Sequence, residues 1–462
     1  MKRLPILLAI WSVASTAGAS GFSTARFGGE HGHPTTDNPT ALYFNPAGLA
    51  LGHGTRVYLD VALALRNATY ERPRAAISNP GDGTPDDALD ANAGTAKLDN
   101  VAFIPFGAIV SDFGIENFGA GVGVYVPLGG SASWDRNTGF EGARGEAYPG
   151  AVDGVQRWFT IEGTIRSLYL TAAAAYRIPS LRLSFGAGLN VIQSQVHTVR
   201  ARNADGTDDL VQGGFPKEGR SLIDVESWDL GFSVGAIWEP AERFWVGASY
   251  QSQPGFGQIA LKGKLETQFP VAEGTTQDVV LTQSLPDIWR LGLRWQPRER
   301  WELRLFGEYA RWSVLQDQCV FREGGSCEIG EDGAETGDSS GVVQNIPRRW
   351  RDGFGVRAGV SHWVVPSVEA YVGLGYDSDA IPDRTLDPSL YDMNKISASV
   401  GARVELTDRW SVAATLTPVF YFTREIEVAD SQGFDPPSAQ PNAAGTYSQF
   451  IGVLDVNTEF RF

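Results

Sequence analysis

Strict alternation of residue character, repeated along almost the whole chain, most narrows what this sequence can fold into. From Val57 to Leu65 the odd positions are Val57, Leu59, Val61, Leu63 and Leu65, while Tyr58, Asp60, Ala62 and Ala64 lie between them. The same period recurs at Phe118, Ala120, Val122, Val124 and Val126 against Gly119, Gly121 and Gly123, and again from Ile396 to Leu406. A period of two is that of a β-strand with one apolar face. Fourteen such segments fall near 55–70, 97–111, 117–128, 158–178, 181–200, 222–239, 242–264, 277–296, 299–316, 346–363, 366–377, 394–407, 410–427 and 446–462. Short connections (112–116, 178–180, 239–241, 296–298, 363–366, 407–409) alternate with long ones. A soluble sandwich has no reason to sort its loops by length, whereas an outer-membrane barrel puts short turns on its periplasmic side. The expected fold is all-β: a transmembrane antiparallel barrel of 14 strands.

Composition fits this reading. Glycine supplies 54 of 462 residues and aromatics 11%, while mean hydropathy is only −0.16. Past the leader no apolar run reaches the ~18 residues of a spanning helix. The net charge of −16 speaks against nucleic acid as a partner. Met1-Lys2-Arg3, the apolar stretch to Ala14 and Ala17-Gly18-Ala19 form a secretory signal over 1–19, so export to the bacterial outer membrane is expected. Aromatics gather at strand ends (Trp238, Phe244, Trp245, Trp295, Trp301, Trp363, Trp410), as in an interfacial belt, and the chain ends on Phe462. The long loops are acidic, for example Asp82, Asp86, Asp87 and Asp90, which reads as a solvated surface facing lipopolysaccharide. In an exported chain, Cys319 and Cys327 read as a loop-closing disulfide more readily than as a metal site.

Between the signal and the first strand, residues 20–54 carry little strand pattern, and Pro39 and Pro46 would break pairing. Fourteen strands enclose a lumen wider than their own side chains fill, so this segment is expected to plug it, with 55–462 forming the barrel. A plugged barrel needs no partner subunit, and a monomer is expected.

Ser20-Gly21-Phe22, Asn38-Pro39-Thr40-Ala41 and above all Asn45-Pro46-Ala47-Gly48-Leu49 resemble the N-terminal hatch of the FadL/TodX family of outer-membrane long-chain fatty-acid transport proteins. The likeness continues through Leu285-Pro286, Gly292, Trp301, Tyr309 and Trp312, then Tyr376-Asp377-Ser378-Asp379, Ile381-Pro382-Asp383 and Asp392. It closes on Gly445-Thr446-Tyr447. The resemblance implies capture of a hydrophobic molecule, a fatty acid or an aromatic hydrocarbon, at the extracellular loops. It further implies passage to a lumenal pocket and lateral release at strand three. By position Ser20, Gly21 and Phe22 would be the displaceable end of the hatch. Asn45, Pro46 and Ala47 would be the hatch side of the gate, and Gly119, Gly121 and Gly123 its flexible side. The plainer alternative is that these glycines only make room for the hatch. A carboxylate cargo would want cations in the lumen, and parity turns Arg290, Arg294, Arg304, Arg357 and Arg403 inward. For any one of them the simpler reading is pairing with Glu302, Glu308 or Glu405 around the plug.

Chemistry is not legible. No Gly-x-Ser-x-Gly element occurs, Glu30-His31-Gly32-His33 lacks a completing ligand, and no cofactor or metal is expected. A hydrophilic porin would need the lumen open, and an outer-membrane lipid hydrolase would need a catalytic pair; both are weaker readings than a hydrophobic-compound channel.

Overall fold

The computed structural model describes residues 26–270, 273–330, 334–337, 339–390, 392–431, 433–434 and 438–462. Residues 1–19, expected to be a secretory signal, and Ser20, Gly21 and Phe22 lie outside them. The strands are β1 (Thr55–Arg72), β2 (Gly94–Ser111), β3 (Phe118–Ser133), β4 (Glu162–Ile178), β5 (Leu183–Arg202) and β6 (Gly219–Ala241). Four interrupted strands follow: β7 (Phe244–Gln251, Gln258–Gln268), β8 (Thr275–Ser284, Ile288–Arg298), β9 (Trp301–Ala310, Asp317–Ser326) and β10 (Ser340–Pro347, Gly353–Val365). The wall finishes with β11 (Val368–Asp377), β12 (Lys395–Thr407), β13 (Trp410–Tyr421, Arg424–Ile426) and β14 (Gly445–Arg461). Each pairs antiparallel with its neighbour, and β14 pairs with β1 from Arg56↔Arg461 to Glu71↔Thr446, closing a 14-stranded barrel.

The alternation has the hand of a membrane barrel. Leu59, Val61 and Leu65 stand about half exposed on the outside, whereas Asp60, Arg290, Glu302 and Glu369 are buried within. A chain folded in water would reverse this arrangement, which suits lipid outside and a polar lumen inside. Short turns are built from local chemistry: Asp112 accepts from Gly114 N at 2.9 Å and from Gly54 N at 2.7 Å, holding the β2–β3 turn and the foot of β1 together.

Four details differ from the sequence reading. Strands 7 to 10 are broken at one level, because Pro254, Pro286 and the 311–316 and 348–352 segments interrupt the ladder. Strand three runs on to Ser133, since its β4 partners continue to Glu162. Strand four begins only at Glu162, because Trp158 and Phe159 are drawn into a cluster with Phe140, Leu210 and Ala443. Trp245 is not part of the outer belt; it faces inward under the Arg294 guanidinium at 4.1 Å.

Over the extracellular mouth the long loops form a packed cover. Arg72–Asp208 at 2.6 Å and Arg157–Glu218 at 2.9 Å are buried ion pairs, and Trp158 Nε1 donates to Asn92 Oδ1 at 2.8 Å. Asp82, Asp86, Asp87 and Asp90 remain on the solvent side. Cys319 and Cys327 are disulfide-bonded, stapling a bulge where β9 and β10 shift register between Phe321 and Ser326.

Candidate functional site

Residues 26–54 lie inside the barrel as short helical turns, Gly29–His31, Ala41–Phe44 and Pro46–Leu51. Asn45 caps the last of these: its Oδ1 accepts from Ala47 N at 3.1 Å. Its Nδ2 donates to Pro34 O at 2.8 Å and reaches two wall carbonyls, Ala236 at 3.1 Å and Ala248 at 3.3 Å. Wall glycines make this approach possible. A Cβ on Gly235 would stand 2.0 Å from Asn45 Oδ1, and one on Gly186 would stand 2.4 Å from the Pro46–Ala47 backbone. Asn45, Pro46 and Ala47 therefore meet β5, β6 and β7.

Strand three is met by other residues of the segment. A Cβ on Gly119 would fall 2.1 Å from Leu49 O, and one on Gly123 would fall 2.9 Å from Leu42 Cδ1, while Gly121 is crowded by Val110 and Ile109. The glycines at 119 and 123 thus give room to the segment, as the plainer reading of them held. Leu49, the last residue of the Asn45–Leu49 motif, and Leu42, given no role in the sequence reading, make the contact.

The five inward arginines are all engaged. Arg290 binds Glu308 at 2.7 Å and lies 4.3 Å over the Tyr43 ring; Arg294 binds Asp37 at 3.0 Å. Arg304 pairs with Glu302 at 2.9 Å, Arg357 with Asp377 at 2.9 Å, and Arg403 with Glu369 at 3.7 Å. Glu405 turns instead to Arg461 at 3.4 Å. His31 Nε2 sits 3.0 Å from the same Glu369, and His33 Nδ1 sits 2.9 Å from Thr35 Oγ1. Burial lowers the pKa of both histidines, and arginine charge lowers it further, Arg403 first at His31 and Arg304 first at His33. Among the described residues no His, Cys, Asp and Glu group could hold a metal ion.

Above the segment lies a cavity of about 110 Å³ lined by Val196, Ile223, Leu265, Leu281, Val320 and Leu390, with Arg200 among them. Arg200 is buried, and among the described residues it makes no hydrogen bond or ion pair. Asp387, whose charge acts on it, is bound by Arg348 at 2.9 Å. Parity puts Arg200 on the inward face of β5 with Ser184 and Asn190, but its want of a partner is visible only in three dimensions, which is why the sequence did not single it out.

The wall beside this cavity is incomplete. β2 pairs with β1 over its whole length but with β3 only from Phe106↔Tyr125 to Ser111↔Ala120. Residues 94–105 of β2 have no ladder partner on β3, and beyond β3 the backbone meets them at Lys97 O, which accepts from Asp135 N at 2.9 Å. β3 slips register between Tyr125 and Leu128, around Pro127, and Gly130, Ser131 and Ala132 beyond the slip line the cavity. Asn100 Nδ2 spans the gap to Ser131 O at 3.1 Å and Oγ at 3.4 Å.

Comparison with known proteins places the molecule. The family model described as outer membrane protein transport protein (OMPP1/FadL/TodX) matches residues 12–462. The chain belongs to this family. It is an outer-membrane β-barrel of a family of transport channels, which is not an enzyme family. Among solved structures, a FadL homologue from Pseudomonas aeruginosa superposes with TM-score 0.75 at 18% identity, covering 97% of this chain and 98% of that one. The toluene transporter TbuX from Ralstonia pickettii gives 0.62 at 16%, covering 96% and 98%. A long-chain fatty acid transport protein from Escherichia coli is 20% identical over 264 residues, 51% of this chain and 55% of that protein. A 47 kDa outer membrane protein from Pasteurella multocida is 23% identical over 207 residues, 42% and 44%. The chain spans about half the length of the curated relatives it matches.

Proposed function

We propose that the protein takes up long-chain fatty acids or similar amphipathic acids, holds them in the upper lumen, and releases them sideways into the membrane between β2 and β3. The observation that carries this reading is the juxtaposition of an apolar cavity, a buried and unpartnered Arg200 and an unpaired wall edge. An apolar tail gains by leaving water for the cavity lining. A carboxylate would give Arg200 the direct ion-pair partner that it lacks among the described residues. A gap in the ladder lets the tail pass to hydrocarbon without crossing the plug. The curated relatives include fatty-acid transport proteins, which agrees with an acid as cargo. The solved neighbours include channels for monoaromatic hydrocarbons, which have no carboxylate to place against Arg200.

Equilibrium binding of oleate and of methyl oleate to purified protein, native and Arg200→Met, tests the assignment. A charge-assisted hydrogen bond is worth about 1.5–3 kcal/mol, so the substitution should weaken oleate by roughly 10- to 150-fold and leave the ester unchanged. Equal loss for acid and ester would remove Arg200 as the head-group partner. Binding of toluene with no binding of oleate would turn the cargo to aromatic hydrocarbons.

A further inference from the structure

The β2 edge is one of two places, among the described residues, where an unbroken strand leaves a long run unpaired. The other is β6. It pairs with β7 from Arg220↔Gln268 to Glu226↔Lys262 and again from Ser233↔Gln251, but residues 227–232 between, laddered to β5 on their other side, have no ladder partner on β7. Across from these six residues β7 supplies ten, 252–261, and the excess leaves the sheet as a loop over 252–257. Contact at its start is thin: Ser252 N donates to Phe232 O at 2.9 Å, and Ser252 Oγ accepts from Phe232 N at 2.9 Å.

Backbone strain in the loop falls on Phe256, since glycine takes a positive φ freely. Gly255 and Phe256 both sit in the left-handed region, at φ 64° and 61°, which is unusual for a bulky residue. Phe256 is 61% exposed on the lipid-facing wall, so its ring is not fixed by a core contact. Its neighbours there form a chain of rings: Phe256–Phe232 at 5.9 Å, Phe232–Tyr250 at 5.7 Å and Tyr250–Trp289 at 4.5 Å. On the lumen side of the loop are Ile259, Leu261 and Leu285, which belong to the same apolar cluster as Ile223, Leu265 and Leu281 of the cavity wall. Packed apolar side chains are thus continuous from the cavity wall to the inner side of the loop, and an aromatic surface begins on its outer side.

We propose that residues 252–257 are a second gate in the barrel wall, between β6 and β7, through which a hydrophobic molecule passes between the lumenal cluster and the outer-leaflet level of the membrane. This rests on the channel reading above and adds a route distinct from β2–β3. Opening requires the loop to swing away from β6, which it meets near the tip through Phe232, against the Phe256 ring, and Asp229: a Cβ on Gly255 would stand 3.2 Å from Asp229 Oδ1. That movement breaks no β-ladder pair; it gives up the two Ser252–Phe232 hydrogen bonds and the one from Gln253 Nε2 to Leu285 O at 2.9 Å.

The same proximity supplies the test. Asp229→Cys with Gly255→Cys places two thiols within bonding reach, so oxidation locks the loop and reduction frees it in one preparation. Photoreactive benzoylphenylalanine is introduced singly at Leu230 beside the gate, at Val196 in the cavity, and at Leu454 on the outer wall away from it, in outer-membrane vesicles. The probes are an alkyne-tagged long-chain fatty acid and an alkyne-tagged alkylbenzene. Labelling at Leu230 should exceed that at Leu454 several-fold, fall to the Leu454 level when the disulfide forms, and return on reduction. Labelling at Val196 without excess at Leu230, or excess at Leu230 that ignores the disulfide, overturns the gate and leaves the channel reading standing. Labelling at neither Val196 nor Leu230, with either probe, overturns both. Heat-modifiable migration of each variant on a gel shows that its barrel is folded.

Discussion

Asn45→Ala should release the N-terminal segment from the wall without unfolding the barrel. Asn45 is fully buried, caps the Pro46–Leu51 turn and donates to the Ala236 and Ala248 carbonyls of β6 and β7. Loss of an N-cap costs about 1 kcal/mol. Two buried bonds to the wall add roughly 1 kcal/mol each, giving about 3 kcal/mol against docking. That is a rise of roughly a hundredfold in the undocked population. Hydrogen exchange followed by mass spectrometry reads it directly, as faster exchange of peptides covering 41–51 while β-ladder peptides keep their protection. Gly235→Ala attacks the same contact from the wall side, since its methyl would meet Asn45 Oδ1 at 2.0 Å. The two changes together should cost less than their sum, because they remove one shared contact. Native-like exchange of 41–51 in Asn45→Ala would refute the view that this side chain locks the segment in place.

Two further outcomes follow from the lumen. Burial lowers the pKa of His31 and His33 when the segment is docked, against the opposing pull of Glu369 on His31, and release frees both to charge at the ordinary value, so the released state binds more protons as the pH falls through about 6.5. Docking should be fully stable above that pH and weaken steadily as the pH falls below it, seen as faster exchange of 26–40 at pH 5 than at pH 8; the reverse order would contradict the burial argument. Arg290 pairs with Glu308 and covers the Tyr43 ring, so Arg290→Met breaks a buried ion pair by removing one member, at about 3–5 kcal/mol. Adding Glu308→Gln should recover a large part of the lost thermal stability of the segment, and failure to recover any would show that the pair is not the source of the loss.

The fold was open to reading because a lipid-facing wall forces period two on every strand, and the turn lengths reveal which end is which. Residues such as Leu59 and Asp60 announce their faces by chemistry alone. The breaks in β7 to β10 were hidden because an interrupted strand keeps its alternation on both sides of the interruption. The inward arginines were found by parity, but parity cannot tell a paired cation from a free one. Arg290 and Arg304 have their carboxylates one strand or two residues away, whereas Arg200 is distinguished only by what fails to reach it in three dimensions. Asn45-Pro46-Ala47 stood out as a motif, yet which strands it touches depends on how the segment turns inside the lumen. That turn is set by Gly186 and Gly235, far away in sequence.

Lateral release between β2 and β3 is tested most directly by closing that gap. Asn100 and Ser131 face each other across it, with Nδ2 and Oγ 3.4 Å apart. Asn100→Cys with Ser131→Cys, produced in cells lacking their own fatty-acid channel, would be assayed for uptake of labelled oleate before and after reduction, with binding to purified protein measured alongside. Uptake that is lost in the oxidised form and regained on reduction, with oleate binding unchanged, is the predicted result. Equal uptake by both forms at equal surface level would contradict release through this part of the wall.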